Sequence, residues 1–279
     1  MIPKWIPRAV SIVWSAGAVF GLFAGPPLLL KALVMVALLA NVIIFVVSNS
    51  TRVGSLFWTL NTFVGWVVPS FFVMLDEVLR TAKPGDPDDV LAKIDKIGWA
   101  GNFMMNVGDV KGALVDNELK KYKPKVAVEL GAHLGYSTVR FSRLLERGTK
   151  LYSVDPEPIG HAVKAALVAF AGLQDRVVPV YDYSDKFMHA MADRNEKIDF
   201  LFIDHVKEIY LKDLQLALSL GLLKPGAVVM ADNVLFPGAP DYKEFVLLDP
   251  RFETTVHSTF VEYSTTTKDE VLVSIYKGE

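Results

Sequence analysis

The fold is decided by two apolar runs, Ile198-Asp-Phe-Leu-Phe-Ile-Asp204 and Gly226-Ala-Val-Val-Met-Ala-Asp232-Asn233. Each run is apolar without strict alternation and ends in polar residues, which is the pattern of a strand buried on both faces of a parallel sheet. Ligands of open α/β sheets bind at the carboxyl ends of the strands. Two neighbouring strands of this kind would therefore bring Asp204, Asp232 and Asn233 to one place.

Metal binding is the chemistry that this trio predicts. Carboxylate and amide oxygens are hard ligands, and they suit Mg²⁺ with water or substrate oxygens completing the octahedron. Lys207 follows Asp204 by three residues, close enough to serve as a base beside the metal. The simpler alternative is that each carboxylate only caps the helix that follows its strand.

Alternation of strands and helices continues on both sides of these runs. Such alternation predicts an α/β fold, a doubly wound and mostly parallel sheet of seven strands with right-handed crossovers. The predicted helices are 90–100, 110–122, 136–145, 161–171, 185–192 and 211–220. The predicted strands are 125–130, 151–154, 177–181, 199–203, 227–231, 254–263 and 271–276.

A glycine loop follows the first predicted strand, in the stretch Glu129-Leu-Gly131-Ala-His-Leu-Gly135-Tyr-Ser137. Gly131 permits a tight strand-to-helix turn, and Gly135 lets the backbone approach a ligand. Asp155 ends the next strand, where a ribose-binding carboxylate belongs. An acid before G-x-x-x-G suits S-adenosylmethionine better than a dinucleotide, because no pyrophosphate has to be held. The alternative is a structural turn in which glycine serves packing.

Composition excludes several other classes of protein. The chain has 279 residues, no cysteine and a formal net charge of −2. It therefore contains neither disulfides nor thiolate metal sites, and nothing in the charge balance indicates nucleic acid as a partner.

The first part of the chain has a different character. Residues 9–75 contain only two charges, Lys31 and Arg52, which separate three apolar stretches. Each stretch is near the ~20 residues that cross a bilayer as a helix, so two or three membrane helices are predicted. A buried helical core or a cleaved signal peptide are the alternatives. We predict a membrane-anchor region over 1–80, a polar linker over 81–89, and a catalytic domain over 81–279.

Residues 81–279 resemble the catechol O-methyltransferase family. The resemblance rests on motifs that occur in order and with similar spacing, and the motifs are Met105-Asn-Val-Gly-Asp109, Glu129-Leu-Gly-Ala-x-x-Gly-Tyr-Ser137, Asp204-His-x-Lys207, Ala231-Asp-Asn-Val234, Pro237-Gly-Ala-Pro-Asp241, Glu262-Tyr263 and Ile275-Tyr-Lys-Gly278. It implies methyl transfer from S-adenosylmethionine to one hydroxyl of a catechol, with Mg²⁺ as cofactor. A membrane-bound form of that family has an N-terminal anchor.

The same resemblance implies a role for each matching residue. Lys207 would be the base, and Asp204, Asp232 and Asn233 would bind Mg²⁺. The residues around the substrate would be Lys207, Asn233, Glu262, Phe103 and Pro237, with Glu262 accepting a hydrogen bond from the hydroxyl that is not methylated. The residues around the methyl donor would be Met105, Val107, Glu129, Gly131, Ser137, Asp155, Ser184, Asp185, Asp204 and His205.

Three positions depart from the family pattern. Phe103 and Val206 stand where the family has tryptophan, and His133 replaces a tyrosine of the glycine loop. Phe103 keeps an aromatic wall, whereas Val206 removes a flat surface near the adenine and the substrate pocket. Two alternatives follow from these departures and from the membrane segment. One is a methyltransferase for other vicinal-diol phenolics, and the other is a non-catalytic partner or trafficking factor for membrane proteins.

Overall fold

A computed structural model of the chain describes residues 74–102 and 104–278. The predicted membrane stretches therefore lie almost wholly outside the described residues. Among the residues that are described, no helix is both long enough and apolar enough to cross a bilayer.

Seven helices and seven strands follow one another in the described part of the chain, after helical residues 74–81. The helices are α1 Pro87–Trp99, α2 Gly108–Tyr122, α3 Tyr136–Ser142, α4 Pro158–Phe170, α5 Ser184–Asp193, α6 Tyr210–Ser219 and α7 Pro240–Leu248. The strands are β1 Val126–Leu130, β2 Lys150–Val154, β3 Val177–Val180, β4 Ile198–Ile203, β5 Leu223–Ala231, β6 Phe252–Phe260 and β7 Lys268–Tyr276.

One seven-stranded sheet runs through this region in the order β3-β2-β1-β4-β5-β7-β6. The strands from β1 to β5 are parallel, and β7 pairs antiparallel with both β5 and β6. The prediction of a doubly wound, mostly parallel sheet is confirmed. The strand order reverses between β1 and β4, and this is where ligands bind in open α/β sheets.

Helices cover both faces of the sheet. The helices α1 to α4 pack against one another on one side, and α5, α6 and α7 form the other layer. Apolar strand residues alternate between the two layers. Val128 and Leu130 belong to the core under α5, α6 and α7, whereas the ring of Phe202 lies 4.9 Å from the ring of Phe141 in α3. A sheet buried on both faces explains why its strands are apolar without alternation.

Several predicted boundaries are wrong. The linker is shorter than 81–89, because α1 begins at Pro87 with Asp86 as its cap, whose side chain accepts a hydrogen bond from the Asp89 backbone nitrogen. The strand predicted over 254–263 ends at Phe260, so Glu262 lies in the following turn. The helix α7 was not predicted. The helix begins at Pro240, directly after a stretch with glycine and proline that is typical of a loop.

Candidate active site

A row of residues lies along the carboxyl edge of the parallel strands. Val154, Leu130, Ile203 and Ala231 are register partners across β2, β1, β4 and β5. The residues that follow them are, in the same order, Asp155, Gly131, Asp204 and Asp232. Strand register thus brings the predicted donor loop and the predicted metal ligands to one edge of the sheet.

Gly131 is where these two parts of the site meet. Its φ is +95°, and a Cβ added there would collide with the Asp204 carbonyl and approach the His205 Cα to 2.8 Å. The backbone nitrogen of Asp204 also donates to the Leu130 oxygen at 2.8 Å. Only glycine allows the donor loop to pass so close to the end of β4.

Asp232 is enclosed, with 1% of its side chain exposed. Its Oδ1 lies 2.8 Å from Lys111 Nζ, whereas its Oδ2 is buried and has no hydrogen-bond partner. Burial raises the pKa of the Asp232 carboxyl to about 7; Lys111 opposes this shift, and the charge of Asp204 adds to it. An unpaired buried carboxylate oxygen is costly unless a cation satisfies it.

Lys111 was missed by the sequence analysis, although it lies at the centre of the site. Besides Asp232, its Nζ lies 3.1 Å from Asp269 Oδ2 and 3.3 Å from Glu262 Oε2. Burial lowers the pKa of Lys111, but the charges of Asp232 and Glu262 outweigh burial and raise that pKa above its ordinary value. The sequence contained one indication that Lys111 is buried. It lies at a spacing of four residues from buried apolar residues of the same helix face, Val107, Val115 and Leu119.

Lys207 lies on the other side of the carboxylates, in a short 3₁₀ turn after β4. Its Nζ donates to Asp204 Oδ1 at 2.9 Å and to the Tyr210 hydroxyl at 2.6 Å. The hydroxyl of Tyr210 in turn donates to the Asp232 backbone oxygen at 3.1 Å. Tyr210 therefore joins the predicted base to the loop that carries two of the predicted metal ligands, and it was also missed from the sequence.

The site carries more acid than base. Its carboxylates are those of Asp204, Asp232, Glu262 and Asp269, and the ammonium groups that contact them are those of Lys111 and Lys207. With every one of these groups ionised, two negative charges remain in excess. Within the described part of the chain, no three His, Cys, Asp or Glu residues form a metal-binding group. The predicted trio has two carboxylates and an amide, so it falls outside that kind of group.

The donor end of the row is built around Glu129, which is fully buried. Its Oε2 accepts hydrogen bonds from Thr138 Oγ1 at 2.6 Å and Ser153 Oγ at 3.0 Å, and its buried Oε1 has no partner. Burial raises the pKa of Glu129, and hydrogen bonds, the first from Ser137, oppose that rise. A buried carboxylate with a free oxygen is suited to receive an ammonium group.

The Asp155 side chain connects the glycine loop to the turn that follows β2. Its Oδ2 accepts from the His133 backbone nitrogen at 2.7 Å, and its Oδ1 accepts from the Glu157 nitrogen at 2.8 Å. Each oxygen keeps a second lone pair, so a ribose hydroxyl can still donate to it. The His133 ring bonds the Met105 backbone, which brings the segment before α2 against the same loop.

The remaining predicted residues lie around this core. Val107 is buried and Met105 is 38% exposed, while Ser184 and Asp185 begin α5 beyond β3. His205 Nε2 pairs with Asp213 Oδ2 at 2.7 Å, and its ring stacks on Tyr210 at 5.2 Å. Pro237 is exposed and follows a cis peptide bond. Phe103 lies outside the described residues.

Comparisons with known proteins agree with the fold described above. A family model described as a methyltransferase domain matches residues 128–234. Catechol O-methyltransferase of Bos taurus is 40% identical over 207 residues, covering 74% of this chain and 76% of that protein. Transmembrane O-methyltransferase of Homo sapiens is 31% identical over 204 residues, covering 72% of this chain and 70% of that protein. An O-methyltransferase of Bacillus cereus, solved in complex with SAH, is 21% identical with a TM-score of 0.58, covering 76% of this chain and 98% of that one.

Sheet order, glycine loop and family match together define an O-methyltransferase of the Rossmann-like, S-adenosylmethionine-dependent class. Within that class, the chain belongs to the catechol O-methyltransferase family.

Proposed function

We propose that this enzyme transfers a methyl group from S-adenosylmethionine to one hydroxyl of a catechol, and that it requires Mg²⁺. The observation that carries the proposal is the excess of two negative charges at the carboxyl edge, beside an unpaired Asp232 oxygen. A divalent cation would balance this excess. The charged edge directly adjoins the glycine loop at Gly131, where a methyl donor would lie.

Asp204, Asp232 and Asn233 would hold the cation. Asp232 Oδ2 has no other partner, and the Asn233 side-chain nitrogen is engaged elsewhere, which leaves the amide oxygen available. The chemistry that Mg²⁺ supplies when bound is to favour the ionised form of a neighbouring substrate hydroxyl.

Lys207 and Glu262 would handle the two hydroxyls of the substrate. Lys207 Nζ, in its neutral amine form, takes the proton of the hydroxyl that is methylated, and a Glu262 oxygen accepts a hydrogen bond from the other hydroxyl. Lys111 Nζ, 3.3 Å from Glu262 Oε2, holds that carboxylate in place. Asn233, Pro237 and Phe103 complete the proposed substrate contacts.

The donor would lie along the row from Asp155 to Asp204. Glu129 Oε1 receives the ammonium of its methionine part near Gly131 and Ser137, and Asp155 receives its ribose. Contacts to the rest of the donor are assigned to Met105, Val107, Ser184, Asp185, Asp204 and His205. The substrate oxygen then forms a bond to the methyl carbon while the carbon–sulfur bond breaks, and the electron pair of that bond stays on sulfur. Alignment of these atoms is the main contribution of the protein.

Other vicinal-diol phenolics are a second candidate substrate class. Val206 stands beside the proposed base and is 59% exposed. A small side chain at this position leaves the wall of the site open, so rings larger than a simple catechol can enter. This is the observation that favours a broader substrate range.

We also propose a two-part organisation, with a membrane anchor in residues 1–80 and the catalytic domain in residues 81–279. The three apolar stretches of residues 9–75 support the anchor, and so do relatives that are named transmembrane O-methyltransferase. The bilayer would be the partner of residues 9–75.

An assay of the full chain in detergent tests the proposed activity. We expect methyl transfer from S-adenosylmethionine to catechol that is lost with a chelator and restored by Mg²⁺. The variant Lys207→Ala should lower turnover by about 10²–10⁴, the usual contribution of a general base, while its affinity for S-adenosylhomocysteine stays within a few-fold. Lys212→Ala, at an exposed lysine of α6, is the matched control and should leave turnover unchanged.

Each part of the proposal can fail separately. Donor binding without transfer to catechol or to any larger diol would overturn the enzymatic proposal and favour a non-catalytic partner of membrane proteins. Transfer that survives the chelator would overturn the metal requirement. Equal losses of donor binding and turnover in Lys207→Ala would overturn its role as the base.

A further inference from the structure

Asp269 of β7 is fully enclosed, with no exposed side-chain surface. Its Oδ2 accepts hydrogen bonds from the Asn233 side-chain nitrogen at 2.9 Å and from Lys111 Nζ at 3.1 Å. Its Oδ1 accepts from the Phe236 backbone nitrogen at 3.0 Å. Three donors from two segments, α2 and the loop after β5, thus converge on one carboxylate. An ionised carboxylate has no hydrogen to give in return.

The side chain of Asn233 has two chemically different ends. Its oxygen can bind a metal ion, whereas its nitrogen carries two hydrogens and cannot. Because Asp269 accepts only, the nitrogen end of the Asn233 amide must face Asp269 and the oxygen end must face away from it. The backbone of Asn233 is held as well, because its nitrogen donates to Asp232 Oδ1 at 2.8 Å.

We propose that Asp269 is a positioning residue that selects the orientation of the Asn233 amide in which Oδ1 is offered to a divalent cation. This inference rests on the proposed function, since it assigns Asn233 to the metal. Lys111 stabilises this arrangement, because its ammonium group contacts both Asp269 and Asp232. Partners that orient metal ligands in this way typically contribute 10–100-fold to metal affinity.

A plainer role for Asp269 has to be separated from this one. Any carboxylate near a divalent cation raises metal affinity through its charge, whatever the orientation of Asn233. The two roles differ in what happens when Asn233 is replaced by aspartate, which presents an oxygen at both ends. Orientation then ceases to matter, whereas the effect of charge remains.

The test is a cycle of four full-length proteins, the natural chain, Asp269→Asn, Asn233→Asp, and the double variant. Affinity for Mn²⁺, used as a stand-in for Mg²⁺, is measured by calorimetric titration with S-adenosylhomocysteine present. We expect Asp269→Asn to weaken metal binding by about 10–100-fold in the natural background. The same substitution should change affinity little in the Asn233→Asp background.

Glu270→Gln is the matched control, because Glu270 is the neighbouring carboxylate of β7 and pairs with Lys243 away from the trio. It should leave metal affinity unchanged. The affinity for S-adenosylhomocysteine and the thermal unfolding of each variant show whether the fold is intact. If Asp269→Asn alone does not fold, the double variant should still fold and bind metal as tightly as Asn233→Asp, since the amide introduced on β7 can donate to the carboxylate introduced beside Asp232.

Equal losses in both backgrounds would show that Asp269 acts through its charge, and would overturn the inference. An unchanged affinity in the natural background, or a double variant that does not fold, would also overturn it. A natural chain that binds the donor but no metal is a distinct result, because it overturns the proposed metal requirement itself.

Discussion

At the scale of single residues, Tyr210 joins the predicted base to the loop that carries Asp232 and Asn233. Its hydroxyl accepts from Lys207 Nζ and donates to the Asp232 backbone oxygen, while its ring stacks on His205. Burial raises the pKa of Tyr210 well above its ordinary value, so the phenol stays neutral and keeps its hydrogen for Asp232. Tyr210 and Asp204 therefore place Lys207 together.

Replacing Tyr210 by phenylalanine tests that placement. The ring contacts survive, but both hydrogen bonds of the hydroxyl are lost, and Lys207 Nζ is then held by Asp204 alone. We expect turnover to fall by up to about 100-fold, the effect of a misplaced catalytic group, with donor affinity retained. Steady-state rates and calorimetric titration with S-adenosylhomocysteine provide the measurement.

Tyr242 gives the control for this substitution. It is equally buried and packs on Tyr210 at 5.7 Å, but its hydroxyl has no hydrogen-bond partner. Tyr242→Phe should leave turnover unchanged and stability equal or higher, since an unpaired buried hydroxyl is removed. Equal losses in both variants would mean that ring packing, and not the hydroxyl, is what matters.

The sequence predicted the position of those candidate residues that follow strand ends, and their roles stay predictions. Asp204, Asp232 and Lys207 could be predicted because the edge of a parallel sheet is local information. Lys111 and Asp269 could not, since they are 158 residues apart and meet only when α2 packs against the sheet. The position of Lys111 on the buried face of α2 was the one indication of its role in the sequence. The carboxylates that pair with it lie more than 100 residues further along the chain.

At the scale of elements, the strand register aligns the glycine loop with the predicted metal ligands. The alternation of apolar runs and helices was sufficient to predict the parallel strands, because each crossover follows a general rule of handedness. The predicted end of β6 and the predicted start of β5 were wrong, and the helix α7 was not predicted. These boundaries depend on glycines, prolines and tertiary contacts that a short window of sequence does not contain.

Gly131→Ala tests the contact between β1 and β4. A methyl group there would collide with the Asp204 carbonyl, so the backbone of both predicted sites has to shift. We expect weaker binding of both S-adenosylhomocysteine and Mn²⁺, each by at least about tenfold, a loss of about 1.4 kcal/mol. Calorimetric titration of each ligand measures the effect.

Gly148 separates crowding from backbone strain. It also has a positive φ, +84°, but an added Cβ would meet nothing within 4 Å. Gly148→Ala should lower stability by about 1 kcal/mol, the cost of a left-handed conformation, and leave both affinities unchanged. Equal effects on ligand binding in the two variants would argue that φ strain alone is responsible.

At the scale of the whole molecule, a standard methyltransferase fold is combined with an apolar segment of a different composition. We expect the full chain to remain in the membrane pellet after extraction at alkaline pH, because three apolar stretches of about 20 residues favour the bilayer. A variant that lacks residues 9–73 should appear in the supernatant. Immunoblots of both fractions give the measurement, and release of the full chain would contradict the proposed anchor.

The position of β7 has a consequence for how the protein is made. Among the described strands it is the last to leave the ribosome, yet it lies between β5 and β6 within the sheet. Until it arrives, β5 presents an open apolar edge, which is a template for aggregation. Asp269 arrives with the same strand. A nascent chain therefore has no finished active site while the edge of β5 is open. The pairing of β7 with β5 covers that edge and completes the site in one step.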